Sequence, residues 1–311
     1  MSEYLKLDNI TKAYDAKFAV DGLSLSVPKG SIYGIIGPNG AGKTTTIRMI
    51  MDIIAPDSGS IMVDGQRATP EFKDRVGYLP EERGLYKKMT LEEVIKFFAE
   101  IKGYPKSKTL ADMDGWLEKM SLSDYKKKNV EELSKGMQQK LQFITTLIHK
   151  PDLIILDELF SGLDPINIEL IKDIVLDEKR RGTTILFSTH VMEQAEKLCD
   201  FICLINKGRK VLDGKLSDIK KQFGANSLQI DIEGDGAFIR TIPGVTDFTE
   251  FNNYIELRLN ADADTRKIFA QINEQVEVRR FEIMEPSLYD IFIKVAKVDP
   301  QTVKMGEAGN E

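Results

Sequence analysis

Cysteine is nearly absent: Cys199 and Cys203 are the only two in 311 residues, beside two histidines, His149 and His190. So little sulfur and imidazole sets aside a disulfide scaffold, and a four-ligand Cys/His zinc site lacks the spacing it would need. Long apolar runs are also missing, since no stretch approaches the roughly 18 residues that a transmembrane helix requires. The opening MSEYLKLDNI carries acids where a signal peptide needs a basic and then an apolar run, so a cytoplasmic chain is expected. Nor is there an excess of basic charge. With 43 Lys and Arg against 49 Asp and Glu the net charge is −6, which argues against nucleic acid as the partner.

What remains is an ordinary globular composition, 42% hydrophobic and 30% charged. The length suits one large domain and one smaller one. Up to about residue 215, short β-branched runs (SIYGIIG, GSIMVDG, RVGYLP, PDLIILDE, GTTILFSTH, FICLINKG) alternate with helical stretches and glycine turns. Such alternation predicts an α/β sandwich with several parallel strands, and the nearly all-apolar runs YGIIG and LIILDE belong near the sheet centre. Residues 85–150 interrupt it with helical spacing at Leu91–Ile101, Leu110–Met120 and Ser134–His149, as a helical insertion would. The first domain is therefore expected over 1–220. From Gly224 the runs SLQIDIE, GAFIRTI, VTDFTEF, YIELRLN, ADTRKIFAQINEQ and VEVRRFEIM suggest a βαββαβ order, a small α+β and possibly ferredoxin-like domain over 224–297. A helix follows Pro286, and 298–311 has the composition of a disordered tail.

Gly37-Pro38-Asn39-Gly40-Ala41-Gly42-Lys43-Thr44 has the form GxxxxGK[ST], directly after strand YGIIG and directly before the helical run TTIRMIM. That context is what a phosphate-binding loop demands: backbone N–H groups curl around the β-phosphate, Lys43 bonds the β and γ oxygens, and Thr44 ligates Mg²⁺. Leu-Ile-Ile-Leu-Asp157-Glu158 puts two acids at the end of a buried strand, the edge where an open α/β sheet binds its ligand. Alone it could be a strand meeting solvent. With the loop upstream, Asp157 is suited to hold Mg²⁺ through water and Glu158 to polarise an attacking water.

Leu133-Ser134-Lys135-Gly136-Met137 lies about twenty residues before LDE, and here the sequence resembles the ATP-binding cassette (ABC) proteins, whose signature is Leu-Ser-Gly-Gly-Gln. The resemblance covers residues 4 to about 215 and includes Tyr14, the D-loop Ser161-Gly162-Leu163-Asp164 and His190 in LFSTH. It implies a P-loop NTPase cassette fold with a helical subdomain, ATP with Mg²⁺, and hydrolysis. Nucleotide would be bound by Tyr14, by the loop from Gly37 through Thr44 and Thr45, and by Ser134 and Gly136. Tyr14 would stack on adenine or else merely pack the first hairpin. Ser134 is an N-cap in either case, and in this family its helix faces the γ-phosphate bound by the other subunit. His190 would contact the γ-phosphate as a catalytic switch beside Glu158 and Lys43, or satisfy a local turn. His149 reads as an ordinary residue at a helix end.

Three departures stand out. Glu81 in VGYLPEERGLY occupies the place of the Q-loop glutamine, so a carboxylate would join Thr44 and Asp157 near the metal. Lys135 and Met137 alter the signature, and Leu159 replaces the usual proline after Glu158. LPEERGLY, LSKGMQQK and FEIMEPSLYDIFI together resemble the sodium-extrusion and drug-export ATPases that serve ABC-2 type permeases. The implied protein sits peripherally on the cytoplasmic face of the membrane, as a homodimer or heterodimer of ATPase subunits. The alternative is a soluble ABC ATPase acting on a non-membrane partner.

Overall fold

The computed structural model describes residues 2–296 except 16, 68, 69, 83, 224–226 and 261. The anticipated tail at 298–311 lies outside the described residues. The chain divides into two compact units between Gly214 and Lys215.

In chain order the first unit begins with β1 (Glu3–Tyr14), β2 (Lys17–Pro28), β3 (Ile32–Ile36), α1 (Lys43–Ile50), β4 (Ser58–Val63), β5 (Gln66–Arg67) and β6 (Val76–Leu79). It continues with α2 (Leu91–Ile101), α3 (Lys106–Lys119), α4 (Lys135–Leu147), β7 (Leu153–Asp157), α5 (Pro165–Arg180), β8 (Thr184–Thr189), α6 (Met192–Leu198), β9 (Phe201–Asn206) and β10 (Arg209–Lys215).

Six strands form one sheet in the order β10-β9-β3-β8-β7-β6, with β9, β3, β8, β7 and β6 running parallel. Every residue of β3, β7 and β8 is buried, as strands covered on both faces must be. The run GSIMVDG departs from the expectation of a parallel strand. As β4 it pairs antiparallel with β1 in a separate sheet, β2-β1-β4-β5. Local alternation encodes a half-buried strand but not its partner. This second sheet supplies Leu5, Leu7, Val20 and Leu23 to one core with Ile47 of α1 and with Ile35, Ile155 and Leu186 of the parallel sheet. The sandwiched α1 is thereby fixed at the end of β3.

Between β6 and β7 the described residues hold α2, α3 and α4 with short 3₁₀ turns and no strand. Thr90 starts α2 with a capping box: its hydroxyl accepts from the Glu93 N–H, and a Glu93 carboxylate oxygen accepts from the Thr90 N–H. α4 packs on α2 and on β6, which ties the insertion to the catalytic edge of the sheet.

The second unit starts at Lys215, ahead of the alternating pattern at 224, because α7 (Leu216–Phe223) belongs to it. Lys294 of the last helix reaches over the Phe223 ring at 5.5 Å. Its strands β11 (Ser227–Glu233), β12 (Val245–Glu250), β13 (Ile255–Leu259) and β14 (Glu277–Met284) lie in the order β12-β13-β11-β14, all antiparallel. Helices α8 (Thr265–Asn273) and α9 (Leu288–Ala296) complete it. Where the alternation suggested a first helix there is only a 3₁₀ turn, Ala237–Thr241, too short to close an α-helical ladder before Pro243. Ile230, Leu257 and Ile268 form a separate core.

Candidate active site

The loop after β3 is built on close backbone approach. A Cβ at Gly37 would lie 2.1 Å from the Ile205 carbonyl oxygen. At Gly42, with φ +106°, it would lie 2.3 Å from that of Ala19. Only glycine fits either place. Asn39 and Gly40 are exposed, Pro38 is half-buried, and Ala41 is buried with the first turn of α1.

Lys43 is 6% exposed and folds back over this loop, donating to the carbonyls of Gly37 at 2.8 Å and Pro38 at 3.3 Å. Burial lowers its pKa, while Glu158, Asp157 and Glu81 act to hold it up. Its ammonium lies 3.8 Å from Oε1 of Glu158.

Glu158 sits just past the end of β7 at φ +51°, a left-handed conformation that a non-glycine residue adopts at some cost. Its N–H donates to the Ser188 carbonyl at 3.0 Å, which holds the turn against β8. The carboxylate Oε1 accepts from the His190 backbone N–H at 3.1 Å and is 2.8 Å from His190 Nδ1. A carboxylate only accepts, so Nδ1 carries the hydrogen toward it. Thr189 Oγ1 donates to Oε2 at 3.4 Å.

Asp157, 1% exposed, accepts at Oδ2 from Thr44 Oγ1 at 3.2 Å. Its other oxygen, Oδ1, is buried without a partner. Burial raises its pKa, with the Glu158 and Glu81 charges adding to the effect. An orphaned carboxylate oxygen beside a hydroxyl is a hard-oxygen donor set, and it fits Mg²⁺. Among the described residues no group of three or more His, Cys, Asp or Glu could hold a metal alone. Mg²⁺ takes one or two protein ligands and completes its shell from phosphate and water.

Glu81 joins Asp157, Glu158 and Ser161 around a cavity of about 40 Å³. Thr45 lies half-buried in the first turn of α1. Tyr14, at the end of β1, is half exposed, with Lys12 Nζ 6.0 Å from its ring centre. The Ser134 hydroxyl caps α4 by accepting from the Met137 N–H at 3.3 Å. Among the described residues, no hydrogen bond joins Ser134 or Gly136 to the phosphate loop. The chain thus gathers Lys43, Thr44, Asp157, Glu158, His190 and Glu81, and leaves Tyr14 and Ser134 exposed, with Gly136 half-buried beside Leu163.

Two residues absent from the sequence-based set also line the 40 Å³ cavity, Gln139 and Gln142 of α4. Gln139 Nε2 donates to the Leu159 carbonyl at 2.5 Å, which grips the residue after Glu158 from the signature helix. The available signal was polar side chains at helical spacing on the buried face of α4.

A further groove of about 290 Å³ is lined by Tyr78, Pro80, Gly84, Leu85, Phe98 and His149, among others. Tyr86, half exposed, lies with its ring centre 6.5 Å from that of the groove-lining Phe98 and meets Phe97 edge-on at 5.2 Å. His149 is buried, with Nε2 3.3 Å from the Val76 carbonyl, and burial pushes its pKa down to about 4. In an unfolded chain histidine titrates near 6.5, so below that pH the unfolded state takes a proton that the folded state refuses. Stability present above pH 6.5 should therefore fall toward pH 4, by up to roughly 1.4 kcal/mol per pH unit from this residue. Urea midpoints at pH 7 and pH 5 check this: the drop should be smaller in His149→Asn, and equal drops would contradict it.

Comparison with known proteins identifies the family. The model of the ABC transporter family matches residues 20–161, and that of the DrrA1-3-like ATP-binding protein C-terminal domain matches 214–296. YhaQ, an ABC transporter ATP-binding protein of Bacillus subtilis, is 43% identical over 93% of this chain and 97% of its own. The chain belongs to the ABC transporter ATP-binding proteins. It is an ATP-binding subunit with the ATPase activity of that family. The linearmycin resistance ATP-binding protein LnrL of Bacillus subtilis is 31% identical over 94% of this chain and 97% of its own. The Nod factor export ATP-binding protein I of Paraburkholderia xenovorans is 33% identical, over 94% and 96%. A solved structure of the ATP binding subunit of an ABC transporter superposes with a TM-score of 0.67 at 32% identity, covering 71% of this chain and 93% of that one.

Proposed function

We propose that this subunit energises an exporter by closing with a second cassette around two ATP molecules and driving a separately encoded ABC-2 type permease. The observation that carries the site assignment is the convergence of Lys43, Thr44, Asp157, Glu158 and His190 at the ends of three parallel strands. Relatives named for Nod factor export and linearmycin resistance support export.

In this reading Gly37–Thr45 wraps the phosphates with backbone N–H groups, and Tyr14 offers its exposed ring to adenine. Lys43 exchanges its loop carbonyls for phosphate oxygens, which accept more strongly. Thr44 and Asp157 would hold Mg²⁺, with Glu81 nearby, and the bound ion would neutralise phosphate charge. Glu158 takes the proton of the attacking water, and His190 holds that carboxylate in place and reaches the γ-phosphate. Ser134 and Gly136, at the start of α4, would serve the ATP of the partner cassette.

The half-exposed aromatic rim and the 290 Å³ groove beside the Glu81 segment suit an apolar element of the permease. No helix among the described residues is long and apolar enough to cross a membrane. A place on the cytoplasmic face would then come from docking. Affinity capture of the chain from detergent-solubilised membranes should bring down a polytopic protein, and Leu85→Asp should release it. Capture of soluble partners alone would favour an ABC ATPase that acts off the membrane.

Glu81→Gln restores the glutamine usual at this place while keeping the shape. Removing a carboxylate near the metal should shift the Mg²⁺ midpoint of hydrolysis by about fivefold, the equivalent of ~1 kcal/mol between partly solvated charges. Superimposable Mg²⁺ titrations of variant and parent would place Glu81 outside the metal's reach.

A further inference from the structure

The turn that follows β7 is held from two sides, and only one of them belongs to the parallel sheet. On the sheet side the Glu158 N–H donates to the Ser188 carbonyl at 3.0 Å, and the Glu158 carboxylate is gripped by His190 and Thr189. The turn itself closes with the Ser161 N–H donating to the Glu158 carbonyl at 3.1 Å. That closure leaves the carbonyl of Leu159, a fully buried residue in the middle of the turn, to find a donor elsewhere.

Gln139 of α4 supplies it. Its Nε2 donates to that carbonyl at 2.5 Å, and the residue is 7% exposed. One turn further along the helix Gln142, also buried, donates through Nε2 to the Glu82 carbonyl at 3.4 Å. Each glutamine thus holds the carbonyl of the residue directly after an acid of the site, Leu159 after Glu158 and Glu82 after Glu81. Both line the cavity of about 40 Å³ that these acids share with Asp157. A volume of that order admits about one water molecule. The helix is a firm base for such a hold, since every residue from Gln139 to Leu147 is buried.

What the hold resists is the conformation of Glu158. Its φ of +51° persists only while the surroundings over-determine it. With the Leu159 carbonyl released, the turn can swing toward an ordinary φ and carry the carboxylate off the line to an attacking water. A misplacement of about 1 Å costs on the order of 10²-fold in rate.

We propose that Gln139 is a positioning residue for hydrolysis: through the Leu159 carbonyl it fixes the turn that aims Glu158 at the water. This role rests on Glu158 acting as the base. Among the described residues Gln139 makes no hydrogen bond to the phosphate loop or to Lys43, so its effect belongs to the chemical step and not to ATP binding.

Gln139→Met keeps the length of the side chain and removes the donor. In the full-length chain kcat should fall about 10- to 100-fold, while the Kd for ATP by calorimetry stays within about twofold of the parent. Gln139→Asn, an amide one methylene too short to reach, should show the same split and serves if the Met variant does not fold. Single-turnover hydrolysis completes the cycle. In the Glu158→Gln background, Gln139→Met should take no more than about twofold from the residual rate, because a residue that acts through the base has nothing left to position. Parent-like kcat in the Gln139 variants, a Kd that rises in step with the loss of kcat, or losses that multiply in the double variant each overturn the proposal. Parent-like turnover in Glu158→Gln would remove the base and this role with it, whereas a collapsed Glu158→Gln beside parent-like Gln139 variants removes the positioning role alone.

Discussion

Glu158→Gln should lose at least about 10²-fold in turnover while still binding ATP, and its chains should stay paired in ATP long enough to elute as a dimer. The geometry explains why loss of the base need not disturb the site. Oε1 accepts from the His190 N–H at 3.1 Å and faces Nδ1 at 2.8 Å, and a glutamine oxygen can keep both contacts. On the other side Thr189 Oγ1 donates to Oε2 at 3.4 Å, and a hydroxyl can accept from the new amide instead. Removing the negative charge 3.8 Å from Lys43 also frees that ammonium for phosphate. Affinity for ATP should hold or rise as the rate collapses. Single-turnover hydrolysis with size-exclusion chromatography in ATP separates the two effects. Near-normal turnover would remove Glu158 from the base's role, and a monomer in ATP would remove the paired-cassette reading.

How much of this site was legible beforehand follows from which interactions are local. The loop after β3 could be read because its steric requirement is written in adjacent residues: glycines where the backbone is crowded, and Lys43 and Thr44 at the helix start. Asp157 and Glu158 were legible because a fully buried strand has one sequence form and its end is marked by charge. The Thr90–Glu93 capping box belongs to the same kind. Less legible were the long-range choices. GSIMVDG alternates like any half-buried strand, and only its tertiary neighbours send it to the antiparallel sheet. Gln139 carries no local signal of its own, and its hold on the Leu159 carbonyl depends on how α4 packs. His149 was taken for a bland helix end, yet burial behind β6 makes it a titrating liability. The start of the second unit at Lys215 was missed for the same reason: α7 has helical spacing compatible with either unit, and packing decides.

Lys43→Ala should fail differently, with ATP affinity and turnover falling together. The ammonium is buried and already desolvated, its pKa lowered by burial and held up by three nearby carboxylates. Little further desolvation is therefore needed when phosphate oxygens replace the Gly37 and Pro38 carbonyls. A charge-assisted contact of this kind contributes roughly 1.5–3 kcal/mol, so the Kd for ATP should rise about 10- to 100-fold. Because negative charge moves onto the phosphate oxygens during transfer, turnover at saturating ATP should drop as well. Alanine also leaves Glu158 and Asp157 without their cation, and their combined negative potential then opposes phosphate. The double variant Lys43→Ala/Glu158→Gln should accordingly recover part of the lost affinity but none of the turnover. Lys43→Arg should not rescue, since a planar guanidinium cannot follow the loop carbonyls within the space the ammonium occupies. Calorimetric titration with ATP decides the matter: an unchanged Kd in Lys43→Ala would mean that the Gly37–Thr44 loop does not cradle the phosphates.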